Sequence, residues 1–291
     1  MSGIRATLST LIMALAVQGL PGSAPLVAQE EAQESAWEFK GELTSVLTQG
    51  NSDAITLGFG TAISRTWGDT ELKFEGDWTR VETGTITRRA VGSGQSFVVE
   101  RDVERERTSE KLQAKLRLDH DVSEHTFVYA SSDWLRNTFS GIASESVSAL
   151  GGGYRVTETD RTKLSTSFAG TYTFKDDVVP DPDAETQFAG LRVGYDLWRE
   201  ISGSAEYESD FTGDLNLKET RDRRFEMTHA LTVDINDAIA LKPSLEFHWR
   251  NLPALSEVPL FTSGGVDTGD LVEAPLQKLD TFFRLAVVVT F

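Results

Sequence analysis

The chain has 291 residues, of which 28 are lysine or arginine and 45 are aspartate or glutamate, so its formal net charge is −17. It contains no cysteine, which excludes disulfides, thiol nucleophiles and cysteine-ligated metal sites. A hydrophobic content of 39% is too low for a bundle of membrane helices, and the negative balance argues against nucleic acid as a partner. Taken alone, these numbers indicate a soluble acidic globule.

The beginning of the chain has the organisation of a secretory signal peptide. Arg5 is the only charge before Glu30, and it precedes an apolar stretch, residues 11–17, that is too short to span a bilayer. Small residues follow and end at Ala28, after which we predict cleavage. The expected organisation is a signal peptide at residues 1–28, a short periplasmic segment at 29–36 and a folded domain at 37–291.

After residue 36, apolar and polar residues alternate in one segment after another. Between residues 72 and 78, for example, every second position is apolar or glycine: Leu72, Phe74, Gly76 and Trp78. The positions between them are charged. Successive side chains of a β-strand point to opposite faces, so this pattern predicts strands with one apolar and one polar face. We count twelve such segments, including two with less regular alternation, at about 126–137 and 145–156, that turn residues flank.

The predicted connections alternate between tight and long. The tight turns are expected at 67–69, 122–124, 157–161, 199–200 and 236–237. The longer links are expected at 82–107, 138–144, 175–184, 212–221 and 251–277, and a short first link at 50–53 falls on their side of the alternation. Consecutive hairpins turn at opposite ends of a sheet, so tight turns and long links separate to opposite rims, as in outer-membrane barrels. We therefore predict an all-β fold, an antiparallel up-and-down transmembrane β-barrel of about twelve strands.

The polar stripes of such a barrel are expected to face the lumen, since a lysine or arginine at the lipid midplane costs about 2–4 kcal/mol. Tryptophans near strand ends are typical of the aromatic belts at membrane interfaces. The candidate lumen-lining residues are Glu71, Lys73, Glu75, Asp77, Lys111, Lys115, Arg117, Glu206, Glu208, Asp210, Arg224, Glu226, Glu246, His248 and Arg250. The candidate interfacial aromatics are Trp37, Trp67, Trp78, Trp198, Trp249 and Phe291.

Several stretches resemble one family. The last strand has an apolar residue at every second position and ends on Phe291, which resembles the C-terminal signal that the barrel-assembly machinery reads. The internal motifs are Gly50-Asn51-Ser52-Asp53, Trp134-Leu135-Arg136-Asn137-Thr138-Phe139-Ser140-Gly141-Ile142 and Gly151-Gly152-Gly153-Tyr154-Arg155. Together they resemble the salt-induced outer-membrane protein family, a domain-of-unknown-function family. The resemblance implies a Gram-negative outer-membrane barrel, with outer-membrane lipid and the barrel-assembly machinery as partners and no catalytic residues to transfer.

The sequence gives little indication of a catalytic or metal site. The four histidines, His120, His125, His229 and His248, are scattered without metal-ligand spacing. His229 is expected to face outward in mid-strand with no serine beside it, so we predict no enzyme activity, metal or cofactor. The 82–107 link carries five arginines that could pair with lipid phosphates, but acidic residues intervene, and we interpret it as a solvated mixed-charge loop.

Three functions are compatible with this sequence. One is a small porin-like channel that passes ions or small solutes through a charged lumen. Another is a non-conducting structural or stress-related envelope barrel, plugged by salt bridges between its own lumen residues. Twelve strands fall between a filled eight-stranded barrel and a sixteen-stranded channel, so strand number does not decide between them. The third is a soluble secreted β-sandwich that binds a partner.

Overall fold

The computed structural model describes residues 37–48, 53–93, 96–182 and 184–290. The predicted signal peptide, the predicted periplasmic segment and Phe291 lie outside the described residues. A short 3-10 helix spans Thr138–Ser140. The strands are β1 (Trp37–Thr48), β2 (Asp53–Trp67), β3 (Thr70–Ser93), β4 (Ser96–Asp121), β5 (Thr126–Asn137), β6 (Ile142–Thr159), β7 (Thr162–Asp177), β8 (Gln187–Ser202), β9 (Ala205–Asn216), β10 (Arg223–Asn236), β11 (Ile239–Arg250), β12 (Leu255–Phe261), β13 (Asp267–Pro275) and β14 (Leu279–Thr290).

Twelve of these strands close into one antiparallel barrel, which confirms the predicted fold. The order around the ring is β1, β14, β11, β10, β9, β8, β7, β6, β5, β4, β3 and β2. β12 and β13 form a separate hairpin in the link between β11 and β14. The ring closes between its first and last strands, where Lys40 lies opposite Thr290 and Leu43 opposite Val287. Closure removes the open sheet edge that lipid could not hydrate.

Tight turns and long links lie at opposite rims, as the connection lengths predicted. The turns that follow β2, β4, β6, β8 and β10 contain two to four residues. One prediction at this rim is wrong, because Arg199 and Glu200 continue β8 and the turn comes at 203–204. A register shift between Glu200 and Ser202 accompanies the extra length of the strand.

Two predicted loops contain regular structure. Residues 82–107 are the outer part of a hairpin between β3, of 24 residues, and β4, of 26 residues, and pairing extends to Ser93 opposite Ser96. The 251–277 link contains the β12–β13 hairpin. The outer part of the β3–β4 hairpin was not predicted as strand because arginines and glycines interrupt the apolar residues of one face and polar residues fill most of the other, so apolar alternation is weak there.

The barrel wall has an apolar outer face and a polar inner face. Large apolar side chains on the outer face, such as Phe59, Leu116, Phe168 and Leu285, are between 42% and 56% exposed. The alternate residues of the same strands point into the barrel, where charged side chains such as Lys111, Glu145 and Arg192 are buried. No helix in the described ranges is long and apolar enough to cross a membrane.

Candidate functional site: the barrel lumen

The strand register places every predicted lumen-lining residue on the inner face of the wall. Glu71, Lys73, Glu75 and Asp77 of β3 lie opposite Asp119, Arg117, Lys115 and Gln113 of β4. On the other side of the ring, Glu226 and Arg224 of β10 lie opposite His248 and Arg250 of β11. Glu206, Glu208 and Asp210 of β9 lie on the same inner face, opposite Thr232, Ala230 and Thr228 of β10.

Two ion pairs join opposite walls of the barrel. Lys115 Nζ lies 3.7 Å from Glu226 Oε2, although their strands, β4 and β10, are six places apart in the ring of twelve. Lys111 Nζ donates to Glu246 Oε2 of β11 at 2.9 Å, and the Lys111 side chain is buried. A circular twelve-stranded barrel would measure about 24 Å between opposite backbones, given a strand spacing of about 4.8 Å and a tilt of about 40°. An extended lysine and an extended glutamate do not reach that far together, so the walls that carry these two pairs lie closer to each other than in a circular ring. Side chains from opposite walls therefore meet across the lumen and occupy its centre.

Further charges extend these two contacts into a connected network. Arg284 donates to Glu246 Oε1 at 2.9 Å and to both carboxylate oxygens of Asp77, at 2.6 and 3.0 Å. The His248 ring lies 3.4 Å from Glu226 and 3.3 Å from Glu246. Each buried charge thus has a partner of opposite sign, which offsets the cost of removing it from water.

A second cluster lies nearer the long-link rim, around Glu145 of β6. Its carboxylate accepts from Arg250 at 2.9 and 3.1 Å and lies 2.7 Å from Arg224 Nη1. Lower in the wall, Arg192 of β8 binds Asp214 at 2.8 and 3.0 Å and also pairs with Asp133 of β5. These clusters cross the interior as well, because β6 and β11 are five places apart in the ring.

Aromatic side chains fill the lumen nearer the tight-turn rim. Phe127 and Tyr129 of β5 point inward and are buried, and the Arg117 guanidinium stacks over the Tyr129 ring at 4.2 Å. Gly153 of β6 lies opposite Phe127, and a Cβ at Gly153 would overlap the Phe127 ring. Within the glycine run of the family motif, Gly153 therefore allows the close approach of the Phe127 ring.

Several of these residues were missed from the sequence, and for two reasons. The inner face of β5 carries Phe127, Tyr129 and Leu135, so its alternation was weak and Asp133 was not assigned to the lumen. Arg192 and Arg284, by contrast, could have been found, because each stands between two residues of a recognised apolar stripe.

The predicted interfacial tryptophans divide between the two faces. Trp37, Trp67, Trp78 and Trp249 lie on the outer face with the apolar residues of their strands, and Trp37 and Trp67 are 46% and 42% exposed. Trp198 corrects the prediction, because it lies opposite Lys163 and Glu208 on the inner face. Its indole Nε1 donates to Glu206 at 3.1 Å, so the polar neighbours of this rim account for its inward position.

His229 has a serine beside it on the outer face, which was not expected from the sequence. Ser209 of β9 lies opposite His229 of β10, where no serine was expected. Each group, however, is engaged by a tyrosine: Tyr207 hydroxyl lies 2.7 Å from His229 Nδ1, and Tyr195 hydroxyl lies 3.1 Å from Ser209 Oγ. Within the described residues, no group of three or more histidine, aspartate or glutamate side chains is placed to hold a metal ion.

Comparison with solved structures returns bacterial porins among the similar folds. The NanC porin is 9% identical, with 88% of this chain and 100% of that chain covered and a TM-score of 0.43. An anion-selective porin from Comamonas acidovorans is 10% identical, with 89% and 100% covered and a TM-score of 0.36. OmpT, an outer-membrane protein of Vibrio cholerae, is 6% identical, with 90% and 100% covered and a TM-score of 0.38.

A search of curated proteins finds no match. A protein-family model, described as a protein of unknown function, DUF481, matches residues 41–258. The match spans 218 of the 291 residues, from the first barrel strand to the β12–β13 hairpin. The chain therefore belongs to the DUF481 family.

Proposed function

We propose that this protein is an outer-membrane β-barrel of a Gram-negative envelope with a lumen closed by its own ion pairs, and that it serves as a non-conducting structural barrel. The membrane location is supported by the closed ring and by the apolar outer face, which would be costly to expose to water. The salt-induced character that the family resemblance implies, and assembly through Phe291, stay predictions.

The observation that carries the closed lumen is the contact between opposite walls. Lys115 reaches Glu226 and Lys111 reaches Glu246, so four long side chains from facing strands meet in the middle of the barrel. A solute in transit would have to separate these pairs, and separating Lys111 from Glu246 would leave a charge uncompensated where little water reaches it, since the two side chains are 4% and 12% exposed. The geometry therefore favours the plugged barrel over the porin-like channel.

Planar-bilayer recording tests this function. Refolded wild-type barrel, shown to be folded by its heat-dependent shift on gels, is expected to give no stepwise conductance. A variant that neutralises both cross-lumen pairs, K111M/K115M/E226Q/E246Q, is expected to open a path for ions. The matched control E71Q/K73M removes a pair within one strand, 3.0 Å apart, and should stay silent.

Stable conductance steps from the wild-type barrel would overturn the closed-lumen proposal and restore the porin-like function. The location is tested separately by fractionating the cell envelope. Recovery of the mature chain in the periplasm, monomeric without detergent, would instead support the soluble binder.

A further inference from the structure

The β3–β4 hairpin continues beyond the barrel wall at the long-link rim. Trp67 marks the opposite rim, and Leu57, ten residues earlier in the same strand, lies opposite Arg80. At about 3.3 Å per residue and a tilt of about 40°, Arg80 is about 25 Å above Trp67, which is the height of the apolar band of an outer-membrane barrel. The hairpin residues beyond Arg80 therefore project past the apolar band.

The register of this hairpin separates most of its charges by sign. Cross-strand partners share a face, and Gly84 opposite Arg105, Ile86 opposite Val103 and Arg88 opposite Arg101 form one face. The other face contains Thr83 opposite Glu106, Thr85 opposite Glu104 and Thr87 opposite Asp102. The first, which we term the arginine face, carries Arg88, Arg101, Arg105 and Arg107 together with Glu82. The second, the acidic face, carries Glu100, Asp102, Glu104 and Glu106 together with Arg89, which is ion-paired with Glu100.

A β-bulge at Thr108 sets this separation. Val81 lies opposite Ser109, whereas the next residue, Glu82, lies opposite Arg107, so Thr108 is an extra residue in β4. If Thr108 were instead paired with Glu82, Arg107 would lie opposite Thr83 and the arginines of β4 would turn to the other face. The mixed-charge loop expected from the sequence is therefore a hairpin with two faces of opposite charge.

The arginine face is continuous with the apolar outer face of the barrel. Trp78 and Leu112 are cross-strand partners on the outer face, and Arg136 lies next to Leu112 in the same row. Two residues further up β3, Arg80 lies opposite Glu110, and the next outward pair is Glu82 and Arg107. These four residues form the base of the arginine face and are joined by ion pairs. Arg107 Nη1 lies 2.8 Å from Glu110, and Arg80 is paired with Glu82. Arginines thus begin where the apolar surface ends and point away from the barrel axis.

We propose that the arginine face binds the phosphate groups of the glycolipid in the outer leaflet, lipopolysaccharide. The inference rests on the proposed outer-membrane location. Guanidinium groups bind phosphate through paired N–H donors, and the arginine face carries three of them, Arg88, Arg101 and Arg105, beyond the ion pairs at its base. The acidic face points the other way, over the lumen side of the wall, where it does not repel the lipid phosphates.

A second copy of this chain is the competing occupant, since one copy's arginine face has the charge to match another's acidic face. The orientation argues against it. The acidic face lies on the side of the hairpin that continues the lumen wall, so a neighbouring barrel in the membrane plane meets the arginine face first. Lipid surrounds that face on the same side.

The test is the affinity of the purified, folded barrel in detergent micelles for labelled lipopolysaccharide. The variant R88Q/R101Q/R105Q should bind on the order of a hundredfold more weakly, since each arginine near an anionic lipid surface contributes about fivefold. The control D102N/E104Q/E106Q changes three charges on the acidic face and should bind as the wild type does. Lipopolysaccharide from which the lipid phosphates have been removed should bind the wild type as weakly as the arginine variant binds the intact lipid.

Four results would overturn the proposal. The first is an arginine variant that binds intact lipopolysaccharide as tightly as the wild type does, and the second is a wild type that binds the dephosphorylated lipid as tightly as the intact one. The third is displacement of the lipid by an equal concentration of inorganic phosphate. The fourth is an arginine variant that loses self-association but keeps its affinity for the lipid. Envelope fractionation distinguishes this failure from that of the proposed function. A barrel recovered outside the outer membrane overturns the proposed function, whatever the lipid assay shows.

Discussion

The space that Phe127 occupies inside the barrel exists because Gly153, on the neighbouring strand, has no side chain. G153A places a methyl group within the Phe127 ring, and overpacking of this kind costs about 1–3 kcal/mol. We expect G153A to unfold at a lower urea concentration than the wild type when both are held in detergent or lipid. The double variant F127L/G153A should recover most of the lost stability. G170A is the matched control, since a Cβ there meets no atom within 4 Å. Equal losses in the two alanine variants would contradict the packing explanation.

Glu145 is the shared acceptor of two arginines inside the barrel. E145Q would leave Arg224 and Arg250 buried without their carboxylate, and removal of one partner from a buried charge cluster costs about 3–5 kcal/mol. The expected result is a lower free energy of unfolding in urea. E219Q removes the exposed partner of Arg221 and should leave the free energy of unfolding close to the wild-type value. An E145Q barrel as stable as wild type would show that water reaches these arginines.

At the scale of a strand, alternation predicts the side to which a residue points but not the wall that it meets. It placed Lys115 and Glu226 in the lumen from local sequence. Their contact across the ring depends on closure and on the positions of β4 and β10, which no local pattern contains. For Trp198 the side itself was predicted wrongly. Its residue type suggested a position at the membrane interface, whereas the register of β8 turns the side chain into the lumen. The charge separation of the hairpin depended on one bulged residue, Thr108, and was therefore not predictable from charge order alone.

That bulge allows a sharp test at the same scale. Inserting one threonine between Val81 and Glu82 supplies a partner for Thr108 and turns the acidic face outward, because Glu82 and every later hairpin residue change face. Deleting Thr108 also removes the bulge but keeps Glu82 opposite Arg107, so the arginine face stays outward. We expect the insertion to reduce lipopolysaccharide affinity on the order of a hundredfold and the deletion to leave it near the wild-type value. Equal affinities would show that the direction of the face is irrelevant to binding.

For the whole barrel, the weakest junction is the one that closes the ring. Among the described residues, the β1–β14 register covers four pairs, from Lys40–Thr290 to Leu43–Val287, whereas β1–β2 covers twelve. The chain lacks cysteine, so L43C/V287C introduces one defined cross-link at this seam, and disulfides of this kind stabilise by about 2–4 kcal/mol. We expect the oxidised variant to keep its folded gel mobility at temperatures that unfold the wild type, and to lose this resistance on reduction.

L43C/F59C is the matched control, because it uses the same cysteine at position 43 in the twelve-pair ladder between β1 and β2. It closes a short loop where the strands already hold together, so it should stabilise less. If the control protects the barrel as well as the seam cross-link does, unfolding does not begin where the ring closes.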